Sequence, residues 1–293
     1  MAIMKLEKYI KGSIVFLAVL LTISCNHDSG VQNGANGKLF IIGGGKRPPE
    51  LVKRMVIESG INNKRGYGII LPMASIEPDS SIWYARKQFL DIGVENVYGI
   101  NFSDQNFSKG RYDSLRNAKL IYISGGSQSR FLDTIRGSKV KEIIIEAFHH
   151  GALIAGTSAG AALMSTKMIT GDEKKHPEYH STYRHLEMDN MIVEDGLGLL
   201  DYAIIDQHFI KRSRYNRLLT ALAEYPDLIG IGIDESTALL LHGYSAEVVG
   251  ESQVITFQNT NPGSLVVENG KFGLRNIKIN IFIPGKRFLF DKL

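Results

Sequence analysis

The stretch Gly156-Thr157-Ser158-Ala159-Gly160 spells G-x-S-x-G. An apolar run, ALIAG, leads into it, and a run of small residues, AGAALM, leads out. This is the pattern of a strand that turns sharply into a helix with a serine at the bend. Such a turn lifts the hydroxyl to the open edge of a sheet, where it can attack a carbonyl carbon. The same five residues also fit a tight turn without chemistry. The reading therefore depends on partners elsewhere in the chain.

A serine nucleophile needs a base, and the base needs an acid to orient it. Of the eight histidines, His208 ends an apolar run, IIDQHF, where the edge of a sheet is expected. His149 and His150 stand at a helix end and suit carbonyl capping. His176, His180 and His185 share a polar loop, DEKKHPEYHSTYRH, whose spacing admits a metal reading. No regular element holds them, so a solvated loop is expected there. His27 falls in a polar linker, and His242 ends a later strand. For the acid, Glu235 in GIDEST is the first candidate, with Asp234 as its rival. The tetrahedral oxyanion needs two N–H donors. Ala159, directly after the serine, supplies one, and Gly125-Gly126 supplies the other, through Gly126. The order Ser158, His208, Glu235 differs from the serine–acid–histidine order of α/β-hydrolases. Such an enzyme would use a different acid, such as Asp195 or Asp201.

The elements that must position these residues alternate between strand and helix. Apolar runs at 38–44, 67–74, 95–102, 119–125 and 152–156 read as strands, and helical spacing fills 48–59, 80–91, 128–136 and 139–150. That alternation implies a parallel sheet with helices on both faces. Ligands in such sheets bind beyond the carboxyl ends of the strands. Three loops leave there: GGGKRP, GGSQSR and GTSAGA. The first lacks G-x-G-x-x-G, which argues against a dinucleotide site. Later, 203–209 reads as a strand, 211–224 as a basic helix and 229–242 as a hairpin. Short β segments after Ala246 suggest an antiparallel annex.

The amino-terminus reads as a targeting segment. Lys5, Lys8 and Lys11 precede a ten-residue apolar stretch, IVFLAVLLTI, too short for a typical membrane span. Residues 1–24 are expected to form a signal peptide. The single cysteine, Cys25, follows in TISC, which resembles a lipobox with Thr22 in place of the usual leucine. Lipidation of Cys25 is expected, with 25–37 as linker and 38–293 as the folded domain. Export to the bacterial cell envelope and a membrane anchor follow from that reading. Loss of 1–24 removes three lysines and Glu7, which takes the formal charge from +4 to +2. A charge that small gives no support for nucleic-acid binding. With Cys25 lipidated, no thiol remains for a disulfide, a thiolate metal site or cysteine catalysis.

GGSQ, AGTSAGA, DQHF, R-x-R-x-x-R and GIDEST, in that order, resemble the cyanophycinases. These serine peptidases are related to dipeptidase E and have a fold akin to class I glutamine amidotransferases. The resemblance runs from about Lys38 to Leu241. It implies an α/β, flavodoxin-like three-layer sandwich with a mostly parallel sheet, and no metal or organic cofactor. It makes Ser158 the nucleophile, His208 the base and Glu235 its partner, and it places Gln128, Asp206, Gln207, Arg212, Arg214 and Arg217 in a substrate pocket. Cyanophycin carries arginine on the side chains of a poly-aspartate backbone, and the family releases β-aspartyl-arginine. Such a substrate needs both signs of charge in its pocket: arginine forks for carboxylates and Asp206 for a guanidinium or amine. The expectation is a serine exopeptidase acting on aspartate-rich peptides through an acyl-enzyme. A peptide-binding lipoprotein without catalysis is the alternative. A homodimer is compatible with either.

Overall fold

The computed structural model describes residues 37–63 and 65–291. The expected signal segment, Cys25 and the linker through 36 lie outside the described residues.

The first half builds five parallel strands and the helices that cover them. In chain order these are β1 (Lys38–Ile42), α1 (Pro49–Ser59), β2 (Gly68–Leu71), α2 (Pro78–Leu90), β3 (Val97–Gly99), α3 (Lys109–Arg116), β4 (Leu120–Ile123), α4 (Gln128–Ile135), α5 (Val140–His149), β5 (Leu153–Thr157) and the single turn α6 (Ala159–Ala162). Every residue of β2, β4 and β5 is buried. Continuous apolar runs of this kind suit strands covered on both faces. Phe40 and Ile42 pack with Leu51, Met55 and Phe89 of α1 and α2 on one face. Ile41, Ile121 and Ile123 pack with Phe131, Ile143 and Ile144 of α4 and α5 on the other. The result is a three-layer α/β sandwich.

The second half adds β6 (Lys167–Glu173), β7 (Met191–Asp195), β8 (Ala203–Gln207), α7 (Tyr215–Glu224), β9 (Ile229–Ile233), β10 (Thr237–His242), β11 (Ser245–Gly250), β12 (Val254–Asn259), β13 (Val266–Glu268), β14 (Lys271–Gly273), β15 (Ile277–Phe282) and β16 (Arg287–Leu289). The main sheet has eight strands in the order β16-β11-β10-β1-β5-β4-β2-β3, and a second sheet runs β15-β12-β9-β8. The antiparallel annex is thus divided. β11 and β16 extend the main sheet, while β12 and β15 complete the second.

Three sequence expectations change here. Residues 229–242 do not form a hairpin. β9 pairs with β8 and β12, whereas β10 pairs with β1 and β11, so the chain changes sheets across Asp234-Glu235-Ser236. The strand that delivers His208, β8, lies in the second sheet and not in the main one. The basic helix expected over 211–224 begins only at Tyr215, and residues 209–214 form turns.

Register explains why the site assembles. β1 and β5 pair with Ile42 opposite Thr157, so their carboxyl ends finish level. β8 and β9 likewise end level, Gln207 opposite Ile233. The loop after β1 then joins the two sheets through its backbone. The Gly43 carbonyl accepts from the His208 N–H at 2.7 Å, the Gly44 carbonyl accepts from the Ser236 N–H at 2.9 Å, and the Gly43 N–H donates to the Thr237 carbonyl at 2.9 Å.

Candidate active site

Ser158 stands between the end of β5 and the start of α6 with φ 53° and ψ −111°. A residue with a Cβ resists positive φ, which costs of order 1–3 kcal/mol, so the bend is held by its surroundings. The Ser158 N–H donates to the Ile42 carbonyl at 3.0 Å, and its carbonyl accepts from Ala161 and Ala162. The flanking glycines allow the close approach. A Cβ on Gly156 would collide with the Gly160 carbonyl, and one on Gly160 with the Ile123 carbonyl.

The Ser158 hydroxyl lies 2.8 Å from His208 Nε2. On the far side of the ring, Nδ1 lies 2.7 Å from Glu235 Oε1. With the proton on Nδ1, His208 donates to Glu235 and accepts from Ser158, the arrangement that prepares a serine for attack. The neighbouring acid takes a separate role. Asp234 Oδ1 accepts from the N–H groups of Ile210 and Lys211, and its Oδ2 accepts from the Ser252 hydroxyl. Asp234 therefore fixes the turn that follows His208, and Glu235 reaches the imidazole. Asp195 pairs with Lys167 at the protein surface.

His208 is buried. Desolvation is the main cause that holds its pKa below the ordinary histidine value. The bond to Glu235 works in the opposite direction, and the charges of Arg212 and Arg214 push it down again. A neutral imidazole is the form a general base requires.

A cleft of about 500 Å³ opens over the serine, with Arg47, Glu77, Tyr84 and Ser124 among the residues around Ser158 and His208. Gly125 borders it, where a Cβ would sit 3.4 Å from the Ser158 Cβ, while the Gly126 α-carbon is turned against the Ala74 carbonyl. The Gly126 N–H belongs to the peptide that follows Gly125. Neither this N–H nor that of Ala159 finds an acceptor among the described residues, which leaves two donors for a developing oxyanion.

The other expected pocket residues divide by what they touch. Asp206 is fully buried and forms a two-pronged pair with Arg217 through Nε at 2.7 Å and Nη2. Burial opposes the charge on Arg217, but the Asp206 carboxylate outweighs it and raises the guanidinium pKa. Arg214 donates to the backbone carbonyl of Gln207 at 2.8 Å and to its side-chain oxygen at 3.2 Å, and reaches the Ser181 carbonyl. Desolvation, helped by Arg217, pushes its pKa down to about 10. Gln128 spends its amide donors on the Ile169 and Thr170 carbonyls of β6. Arg212 alone of the three arginines is half-exposed, and its guanidinium makes no hydrogen bond or ion pair among the described residues.

Several contributors were not singled out from the sequence. Gly44 and Gly45 have φ of +110° and +70°, and Cβ atoms there would meet His208 and Glu235 respectively. Arg47 reaches the cleft while bonded to the Gly45 carbonyl and Gln88. The triple glycine was the available signal, since it ends a buried strand without a dinucleotide fingerprint. The histidines at 176 and 185 are also not simply solvated. They stack with ring centroids 3.5 Å apart, between β6 and β7.

Residues 39–249 match the profile of Peptidase family S51. A cyanophycinase of Trichormus variabilis is 32% identical over 233 residues, covering 76% of this chain and 75% of that protein. One from Geminocystis herdmanii is 30% identical over 231 residues, covering 75% and 80%. Among solved structures, a peptidase from an acI-B1 Actinobacterium superimposes with a TM-score of 0.62 at 23% identity, covering 88% of this chain and 99% of that one. A putative peptidase E from Listeria monocytogenes gives 0.51 at 19%, covering 74% and 99%. The two structures share the fold, and the profile and the curated relatives carry the assignment: the chain belongs to peptidase family S51 and is a serine-type peptidase.

Proposed function

We propose that this peptidase cleaves aspartate-rich peptides of the cyanophycin type, releasing aspartyl dipeptides through an acyl-enzyme on Ser158. The observation that carries the mechanism is the unbroken relay from Ser158 through His208 to Glu235, at 2.8 and 2.7 Å. Ser158 Oγ attacks the scissile carbonyl carbon as its proton passes to His208 Nε2. The oxyanion takes hydrogen bonds from the Gly126 and Ala159 N–H groups. Collapse breaks the C–N bond, and His208 returns the proton to the leaving amine. Water then attacks the acyl-enzyme by the reverse use of the same base.

The cleft supports the substrate class because it carries both signs of charge. Within the cleft, Arg47 can receive a carboxylate, and Glu77, exposed at the start of α2, can receive a guanidinium or amine. Arg212, whose charge acts on His208, is a second candidate for a carboxylate. The proposal includes export and a lipid anchor at Cys25, which would put the activity at the cell envelope. Nucleic acid has no part in it, and a homodimer is compatible with it.

The test offers purified protein cyanophycin, an α-aspartyl dipeptide and a neutral peptide of equal length, with products identified by mass. β-Aspartyl-arginine from the polymer, absent with Ser158→Ala, is the expected result. Cleavage of the neutral peptide at an equal rate would remove the acidic substrate class and leave the serine chemistry.

A further inference from the structure

The loop between β6 and β7 carries a second cluster of chemically active side chains. Glu173, the last residue of β6, is buried. Its Oε2 accepts from Asn190 Nδ2 at 2.7 Å and lies 2.9 Å from His185 Nδ1. His176 stacks on His185, and its Nε2 is 3.3 Å from Glu187 Oε2. One potential ligand atom each from Glu173, His176 and His185 falls within 4.8 Å of the other two.

Two imidazoles and a carboxylate form a donor set for borderline divalent ions such as Zn²⁺. Ca²⁺ and Mg²⁺ prefer oxygen ligands throughout. Around a tetrahedral ion with bonds of about 2.1 Å, ligand atoms stand roughly 3.4 Å apart. The widest separation must close by no more than roughly 1.4 Å, which is 4.8 less 3.4, while the 2.9 Å contact of His185 with Glu173 must open, and side-chain torsions can supply both. The Asn190 amide already holds Glu173 through Oε2, as an outer-shell partner does. Glu187 lies beside the cluster, its Oε2 3.3 Å from His176 Nε2.

We propose that Glu173, His176 and His185 bind one divalent transition-metal ion of the zinc class, with Glu187 or water completing its coordination. The ion is a brace and takes no part in bond cleavage. It cross-links the strand end at 173 to the loop at 176 and 185. That loop touches the segment that follows His208: the Ser181 carbonyl accepts from Arg214 Nε at 3.3 Å, and the Tyr183 carbonyl accepts from Asn216 Nδ2 at 3.3 Å. Arg214 in turn holds the carbonyl of Gln207, the residue before His208.

The test uses full-length, untagged protein freed of metal with a chelator and titrated with Zn²⁺, then with Co²⁺ as a spectroscopic stand-in. The expected result is one equivalent bound, with intense visible Co²⁺ bands of a tetrahedral site and a raised thermal midpoint. His176→Ala should weaken binding by more than about tenfold and abolish the thermal shift. The double variant His149→Ala/His150→Ala, which alters histidines elsewhere, should bind as wild type does. His176 is half-exposed, so its loss leaves the fold intact, and circular dichroism checks this. No binding at micromolar Zn²⁺, or undiminished binding in both His176→Ala and His185→Ala, would overturn the proposal. The cluster would then be a hydrogen-bonded clamp.

Discussion

Gly44 lies against His208 so closely that a Cβ at 44 would occupy the space of the imidazole ring. The carbonyls of Gly43 and Gly44 also tether His208 and Ser236. Glycine at this position is thus a condition for the base to stand over the serine. Gly44→Ala should keep the fold by circular dichroism yet lower kcat/KM by about 100-fold, the usual cost of moving a catalytic group by an ångström. Unaltered hydrolysis would show that the ring can shift without penalty.

Ser158→Ala should reduce hydrolysis by about 10⁴-fold or more, and His208→Ala by a similar factor. Combining them should add little, because the pair acts as a unit. The thermal midpoint of Ser158→Ala should stay within about 2 °C of wild type, since the hydroxyl makes one bond at a cleft surface. Initial rates and a melting curve on the three variants check this together.

The lowered pKa of His208 sets the sign of the pH response. A base with a depressed pKa stays neutral to lower pH, so the acidic limb of kcat/KM should fall below about 6.5. Arg212→Ala removes a positive neighbour and should move that limb upward. Stability runs the same way. The folded state binds fewer protons than the unfolded state, so this contribution is complete above about 6.5 and is lost as pH falls to the folded value. A limb that stays in place in Arg212→Ala would count against that charge as a cause.

Arg212 and Arg217 should separate binding from stability. Arg212→Lys keeps the charge but loses the planar fork, so kcat/KM on aspartyl peptides should drop about tenfold with no change in melting. Arg217→Met strips the buried Asp206 of its two-pronged partner and leaves it Arg214 at 3.7 Å, a loss of about 3 kcal/mol that should lower the midpoint by about 10 °C. Equal melting of both variants would refute this division of roles.

The parts of this fold legible in the sequence were those whose cause is local. Ser158 declares itself because glycines at 156 and 160 bracket it, and β2, β4 and β5 do so because their apolar runs are unbroken. α3 leaves little mark in the sequence because KGRYDSLR buries only Leu115 and so shows no apolar stripe. The 229–242 segment resembled a hairpin because two apolar runs flank a turn. Every residue of β9 is buried, as are the first five of β10. That marks strands covered on both faces rather than an alternating hairpin. The 174–190 loop looks solvated in the sequence because its order comes from pairs distant in sequence, such as Glu173 with His185 and Asn190.

The change of sheets at 234–236 bears on how the enzyme comes into being. Ser158 belongs to the first sheet, His208 to the second, and Glu235 to the span between them. Neither sheet alone holds a reactive serine. On refolding, burial of the apolar core can run ahead of activity, and acylation of Ser158 will report the moment the two halves lock. A half-assembled chain therefore lacks the aligned base and acid that the serine needs.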